Sequence, residues 1–277
     1  MPSFGLTLLT SIVAGFVGAM SGMGGGVVLI PVLTFLGLPI KKAIAVSIIS
    51  VIATSSGSAS AYVRDHLTNL KVGMFLEMFT IVGALVGANV TVALSQRWLF
   101  LAFGLVLMAS WSVLLVREKE EWEPLTEQDS FSRWLELKGR YPDQALGRTI
   151  DYQATHAAAG ASLMLGAGFV AGLLGIGAGA LKVLIHDLVM HLPPKVSTTT
   201  SNLIIGVTAL AGTSVFLAHG LIDPGLAAPV ILGVLGGSFL GTRLLVRLKN
   251  QAVRRFFLFV LAILGLQMIW RGWRGGL

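Results

Sequence analysis

Apolar residues fill this chain in long blocks separated by short polar joints, rather than in the one-on, one-off alternation of a half-buried strand. Eight blocks stand out: Phe4–Leu38, Ala43–Val63, Val72–Leu94 and Trp98–Val116, then Ala157–Leu192, Val196–Ala218, Gly225–Leu248 and Val253–Trp270. About 20 residues of helix cross a hydrocarbon core about 30 Å thick, so six of the blocks predict single crossings. The first block of each set of four is too long, because about 35 residues of unbroken helix would reach about 52 Å. Each of these carries a glycine cluster, Gly22-Met23-Gly24-Gly25-Gly26 or Gly175-Ile176-Gly177-Ala178-Gly179, and glycine readily adopts the backbone angles a break requires. After the first cluster only about 18 Å of helix remains, roughly half a crossing. Pro31 falls early in that restarted helix, where its missing N–H is tolerated.

The two sets of blocks are copies. Gly15–Pro31 aligns with Gly168–Leu184 without a gap at an offset of 153 residues, and Leu38-Pro39-Ile40-Lys41 matches Leu192-Pro193-Pro194-Lys195 at an offset of 154. Gly83 and Gly87 match Gly237 and Gly241, and Ser47 matches Ser201. The chain therefore divides into a first transmembrane repeat at 1–116, a polar linker at 117–151 and a second repeat at 152–277. The linker holds nine of the thirteen acidic residues and six basic ones. It reads as an extramembrane segment with short amphipathic helices on the membrane surface.

Positive charge selects a topology. If each long block crossed once, the loop lysines and arginines would divide almost evenly between the two sides. If each long block enters, breaks and turns back, fourteen gather on one side: Arg64, Lys71, the linker's six, Lys195 and the Arg243–Arg255 group. Lys41, Lys42, Arg97, Arg271 and Arg274 remain on the other. The positive-inside rule favours this second arrangement. It predicts an all-α polytopic membrane protein of two inverted repeats, each a glycine-broken, re-entrant helix followed by three transmembrane helices. The linker is then cytoplasmic and both termini lie outside, in a multi-pass protein of the cytoplasmic membrane.

Composition agrees with this and narrows it. Hydrophobic residues make up 55% of the 277 and charged residues 12%, outside the range of soluble domains. The net charge of +7 is explained by basic helix ends, so no nucleic-acid partner is implied; the partners expected are a small anionic substrate and the lipid bilayer, with homo-oligomerisation left open. No Lys or Arg precedes the first apolar block, which reads as a membrane element and not a cleaved signal. Cysteine is absent, excluding thiolate chemistry and disulfides. The five histidines form no metal-ligand spacing, and neither metal nor cofactor is expected.

Candidate chemistry concentrates at the breaks. Unwound backbone inside a bilayer survives where it lines a cavity, and helix restarts there offer N–H groups to anions. Ser21, Gly22, Gly24, Gly25 and Gly26 in the first copy, with Gly175, Gly177 and Gly179 in the second, are the expected substrate-binding backbone. Lys182 stands just past the second cluster, where the first copy has Leu29. A buried ammonium is costly unless paired, which makes Lys182 the expected fixed positive charge, with Asp187 nearby as an alternative partner. Ser47, Ser201 and Asn202 are expected to turn polar groups to substrate. Glu77, opposite apolar Ile231 in the repeat alignment, is the candidate proton-coupling residue. Gly83 and Gly87 read as helix-packing positions, and His156, His186 and His191 as histidines at helix ends.

Ser21-Gly22-Met23-Gly24-Gly25-Gly26 followed by Pro31 and Leu33 resembles the glycine-rich motif that opens each copy in the sulfite exporter TauE/SafE family of membrane permeases. The second copy departs from it, with Leu174, Ala178 and Leu184 in place of the serine, a glycine and the proline. The resemblance spans both repeats but not the linker, and implies transport of sulfite, organosulfonates such as sulfoacetate, or related sulfur-containing anions. With the glycine and lysine chemistry it predicts a secondary transporter working by alternating access. The alternatives are a passive anion channel and an intramembrane serine hydrolase built on Ser21. The repeat argues against the hydrolase, since Leu174 replaces that serine, and no enzyme activity is expected. No nucleotide-binding loop is present to supply ATP drive.

Overall fold

Both long apolar blocks break at their glycines. The computed structural model describes residues 3–21, 25–116, 127–143, 148–245 and 250–275. In the first repeat α1 (Phe4–Ser21) and α2 (Gly26–Phe35) are the two arms of the first block, followed by α3 (Ile40–Arg64), α4 (Leu70–Ala93) and α5 (Gln96–Val116). The linker supplies α6 (Ser130–Trp134), β1 (Lys138–Asp143) and β2 (Arg148–Gln153). In the second repeat α7 (Ala157–Leu174) breaks before α8 (Gly179–Leu184), which runs on into a π-helical turn, Ile185–Val189. Then come α9 (Pro194–Ala218), α10 (Pro224–Leu245) and α11 (Asn250–Trp273).

The chain doubles back at each break. Gly25 lies 11 residues beyond Ala14, about 16 Å along an unbroken helix, yet a Cβ at Gly25 would sit 3.5 Å from the Ala14 carbonyl oxygen. In the second repeat the return is longer. Met190, just past the π-helical turn, accepts a hydrogen bond from the Thr155 N–H at 3.1 Å and packs its sulfur on Gly160. The broken element thus begins and ends beside the same end of α7.

Among the described residues, five helical stretches are long and apolar enough to cross a membrane: Leu70–Ala93, Gln96–Val113, Ala157–Leu174, Pro194–Ala218 and Pro224–Gly241. Their outer faces fit that solvent. Met74, Met78, Val82 and Val86 recur every fourth residue along α4 and are all exposed, while Val72, Leu76, Gly83 and Gly87 face inward. An apolar stripe of this kind is stable against lipid and a liability in water. Trp98, Trp270 and Trp273 are exposed near one end of the helical body and Trp134 in the linker, the residues favoured where lipid meets water.

Glycines let the helices of the two repeats approach to backbone contact. A Cβ on Gly83 would fall 2.1 Å from the Leu165 carbonyl oxygen, and one on Gly87 the same distance from that of Phe169. Gly168 and Gly172 stand equally close to Thr80 and Ala84. Thus α4 and α7 run side by side in the same direction. The same contact recurs between α1 and α10, where Gly237 meets the Ile12 carbonyl and Gly15 that of Val234. Ile12 and Leu165 are repeat counterparts, as are Gly237 and Gly83, so the packing of one pair copies that of the other. At the centre α3 packs on α9, and the loop after α3 meets the start of α9: Thr199 donates to the Leu67 carbonyl at 2.8 Å, and the Asn69 N–H to Thr200 Oγ1 at 3.0 Å.

The linker differs from the surface helices expected of it. Its described part is one short helix and an antiparallel hairpin, with Lys138 opposite Gln153 and Asp143 opposite Arg148, so its ordered structure extends two residues past Asp151. Leu137, Tyr141 and Tyr152 are buried with Val72, Leu76, Met164, Met190 and Val196 in a second core cluster, which docks the hairpin onto the starts of α4, α7 and α9. Asn69 Oδ1 caps α4 by accepting from the Val72 N–H, and its Nδ2 donates to Tyr152 Oη at 2.9 Å. Burial pushes the Tyr152 phenol up to about 12, keeping it protonated. Asp129 caps α6 and also accepts from Thr155 Oγ1 and the His156 N–H. Partial burial alone would raise its carboxyl, but these hydrogen bonds prevail and hold it at about 2.

Candidate functional site

The two breaks meet at the contact between the repeats. A Cβ on Gly26 would come within 2.6 Å of Ser47 Oγ and 3.0 Å of the Gly175 carbonyl oxygen, so only glycine lets α2 start there. Ser47 donates to the Gly175 carbonyl, and its counterpart Ser201 to that of Gly179, each at 3.3 Å. Gly175 (φ +65) and Gly177 (φ +72) take left-handed angles. So does Ala178 (φ 49), a conformation that costs a residue with a Cβ about 1–2 kcal/mol; the second break is therefore not made by glycine alone. Gly25 has ordinary helical angles, and a Cβ there would make only ordinary contacts at 3.5 Å. Gly22 and Gly24 lie outside the described residues, as does the Ser21 side chain. The restart that Gly179 opens is α-helical for six residues only before its π-helical turn. A cavity of ≈ 10 Å³ touches this break, lined by residues including Val27, Leu107, Ile176 and Ala178, about the space of one water. Asn202 turns its side-chain amide to its own helix, donating to the Thr198 carbonyl at 3.2 Å, while its main-chain carbonyl accepts from the Ser55 hydroxyl.

Lys182 and Glu77 come together in a separate buried cluster. Lys182 is fully buried and Glu77 is 3% exposed. Lys182 Nζ donates to Thr208 Oγ1 at 2.6 Å, and Thr208 Oγ1 stands 2.9 and 3.1 Å from the two carboxylate oxygens of Glu77. Thr80, one turn beyond Glu77 on α4, donates to Glu77 Oε2 at 2.7 Å. Thus α8, α9 and α4 each contribute to a relay from ammonium through hydroxyl to carboxylate. Several kcal/mol of desolvation per ion is offset in such a site only by pairing and hydrogen bonds. The partner that the sequence left open for Lys182 is Glu77, reached through Thr208.

Thr208 can turn. Its single hydroxyl proton has two acceptors, the Glu77 carboxylate and the Ile204 carbonyl at 2.7 Å. An ionised Glu77 draws that proton, because charge-assisted hydrogen bonds are the stronger. A protonated Glu77 instead becomes a donor to Thr208, which then gives its own proton to Ile204. The cluster thus accommodates both protonation states of Glu77 by rotating one hydroxyl.

His186 lies outside the relay, further along the chain from Lys182, and was legible only as a histidine near a helix end. It is fully buried on the π-helical turn, four residues after Lys182, with Nδ1 3.2 Å from the Ser197 carbonyl oxygen. Thr80, Thr208 and Ser197 had no separate signal in the sequence. The usable hint was that Glu77 and Lys182 are opposite charges, each isolated in an apolar block. The repeat relation isolates the cluster further, since Leu29, Ile231 and Val234 occupy the counterpart positions of Lys182, Glu77 and Thr80.

Residues 7–268 match the sulfite exporter TauE/SafE family. The chain is 26% identical to the probable membrane transporter protein YunE of Bacillus subtilis, with 98% of each chain covered. A second protein of that organism, the probable membrane transporter protein YdhB, is 24% identical over 94% of this chain and 96% of its own. A probable membrane transporter protein of Xylella fastidiosa is 27% identical, covering 94% and 92%. No solved structure matches the chain. The glycine-broken, doubled helical body and the match over nearly its whole length lead to one assignment: the chain belongs to the sulfite exporter TauE/SafE family.

Proposed function

We propose that the protein is a secondary transporter that carries small sulfur-containing anions, sulfite or organosulfonates such as sulfoacetate, across the cytoplasmic membrane by alternating access. The observation that carries this reading is the Lys182–Thr208–Glu77 relay, a fixed cation held by an internal carboxylate inside a lipid-facing helical body. While Glu77 is ionised it occupies Lys182 electrostatically. Once Glu77 is protonated, the ammonium is left with a neutral partner and recruits an anion from water, so that one proton travels with each negative charge. The breaks beside this cluster, with Gly26, Gly175, Gly177 and Gly179 and the hydroxyls of Ser47 and Ser201, are the backbone over which the anion passes. Ser21, Gly22, Gly24, Gly25 and Asn202 belong to the same proposed path from sequence alone.

An inverted arrangement of the repeats underlies the cycle. It is supported by the parallel packing of α4 with α7 and of α1 with α10, and by the end of α3 lying beside the start of α9. Equivalent helices then begin at opposite faces, and the face bearing the linker hairpin, Arg64, Lys71 and Lys195 is the cytoplasmic one.

Uptake of radiolabelled sulfite and sulfoacetate into proteoliposomes tests the reading. Lys182→Met is expected to abolish uptake. The double variant Glu77→Gln/Lys182→Met, which leaves no unpaired charge, is expected to fold normally and still not transport. Wild-type rates in that double variant would remove the role of Lys182.

A further inference from the structure

His186 is a buried titratable group that this mechanism leaves unused. Its Nδ1 faces the Ser197 carbonyl, and a carbonyl only accepts, so the proton of the neutral ring sits on Nδ1 and Nε2 presents a lone pair. Among the described residues no protein group hydrogen-bonds Nε2, although the side chain is fully buried. A buried acceptor without a donor is costly, about 1–3 kcal/mol, and such a group is retained where something else supplies the hydrogen. Lys182 lies four residues earlier on the same helical element, one turn away, so a cationic His186 beside it is repelled unless an anion joins the pair.

His186 is the proton acceptor nearest Lys182 along this helical element, with the Asp187 carboxylate next to it and Glu77 across from it. Of the elements packed on the π-helical turn, α7 carries no ionisable residue, α8 carries Lys182, and α9 carries only Lys195, exposed in its first turn. Asp187 and His191 flank His186 in sequence; Asp187 is half-buried and His191 exposed. Glu77 faces Lys182 from α4.

We propose that His186 Nε2 takes up a proton when the site opens to water, and that this second cation lets the site carry divalent anions. The inference rests on the transporter reading above. Counted over Lys182, Glu77 and His186 alone, the closed state with Lys182 charged, Glu77 ionised and His186 neutral has no net charge. Protonating Glu77 leaves one positive charge, matched to a monoanion. Protonating His186 as well leaves two, matched to a dianion, and low-dielectric interiors penalise any mismatch. The proton comes from hydronium: an O–H bond breaks, its electron pair stays on water, and an N–H bond forms at the Nε2 lone pair. A monoanion is carried with one proton and a dianion with two.

The test uses two probes whose charge is constant near neutral pH, methanesulfonate as monoanion and thiosulfate as dianion, offered to proteoliposomes under an inward acidic gradient. Wild type is expected to take up both. His186→Gln is expected to keep methanesulfonate uptake within about twofold and to lose thiosulfate uptake by about tenfold or more, the scale of one uncompensated charge at partial burial. Equal loss of both probes would make His186 structural and overturn the proposal, and so would undiminished thiosulfate uptake. Lys182→Met run in parallel separates the two ideas. Loss of both probes there supports the anion site, whereas retention of both removes the site and this inference together.

Discussion

Two side chains of opposite charge hold the middle of this molecule, and neither is stable there alone. Breaking a buried pair by removing one partner costs about 3–5 kcal/mol, because an uncompensated charge remains. Lys182→Met should therefore lower the melting temperature of purified protein well below wild type, as should Glu77→Ala. Glu77→Gln/Lys182→Met should recover most of that loss, with a coupling of about 1–3 kcal/mol in a double-mutant cycle. Additive effects would mean that Thr208 does not link them. The sequence made both residues conspicuous, since each is a charge stranded in an apolar block. It could not reveal Thr208 or Thr80, because threonines in helices most often bond their own backbone. Thr54, the repeat counterpart of Thr208, does so, at 3.1 Å from the carbonyls of Ser50 and Val51. Only the crossing of α9 over α4 distinguishes the two.

At the scale of elements, length and glycine placement predicted the breaks well, because no unbroken helix of that length fits a bilayer. The left-handed angle of Ala178 was hidden, since nothing in an alanine's residue type calls for it. The linker was the least legible element. Its charges suggested a solvated surface, whereas Leu137, Tyr141 and Tyr152 dock it onto the starts of α4, α7 and α9. Asp129 secures this docking through Ser132, Thr155 and His156. Its carboxyl lies at about 2 in the folded protein against 3.8 ordinarily, so its contribution is complete above about pH 4 and is lost as pH falls toward 2. Hydrogen exchange at the hairpin amides should accelerate across that window while the α4 and α7 amides stay protected. Asp129→Ala should show the accelerated rate at neutral pH, at a cost of about 1 kcal/mol or more for the lost cap. Unchanged hairpin protection in that variant would assign the docking to the tyrosines alone.

For the whole molecule, the consequence of duplication is that similar backbones serve unlike ends. The glycine contacts of α4 with α7 repeat in α1 with α10, yet Lys182, Glu77 and Thr80 face Leu29, Ile231 and Val234 in the copy. One half of the body is thus the chemical half and the other its apolar mirror. The alternating access proposed above exchanges the conformations of the two repeats, which requires that equivalent helices start at opposite membrane faces. Lys41 and Lys195, which occupy matching positions at the starts of α3 and α9, report on this directly. Lys41 also donates to the Val92 carbonyl at 2.6 Å, which fixes it at the end where α4 finishes, whereas Lys195 stands at the end where α4 begins. The chain contains no cysteine, so Lys41→Cys and Lys195→Cys each introduce one unambiguous label site. In intact cells an impermeant maleimide should modify Lys41→Cys from outside and reach Lys195→Cys only after lysis. Labelling of both from one side would require equivalent helices to start at the same face, and alternating access between inverted repeats would then have no structural basis.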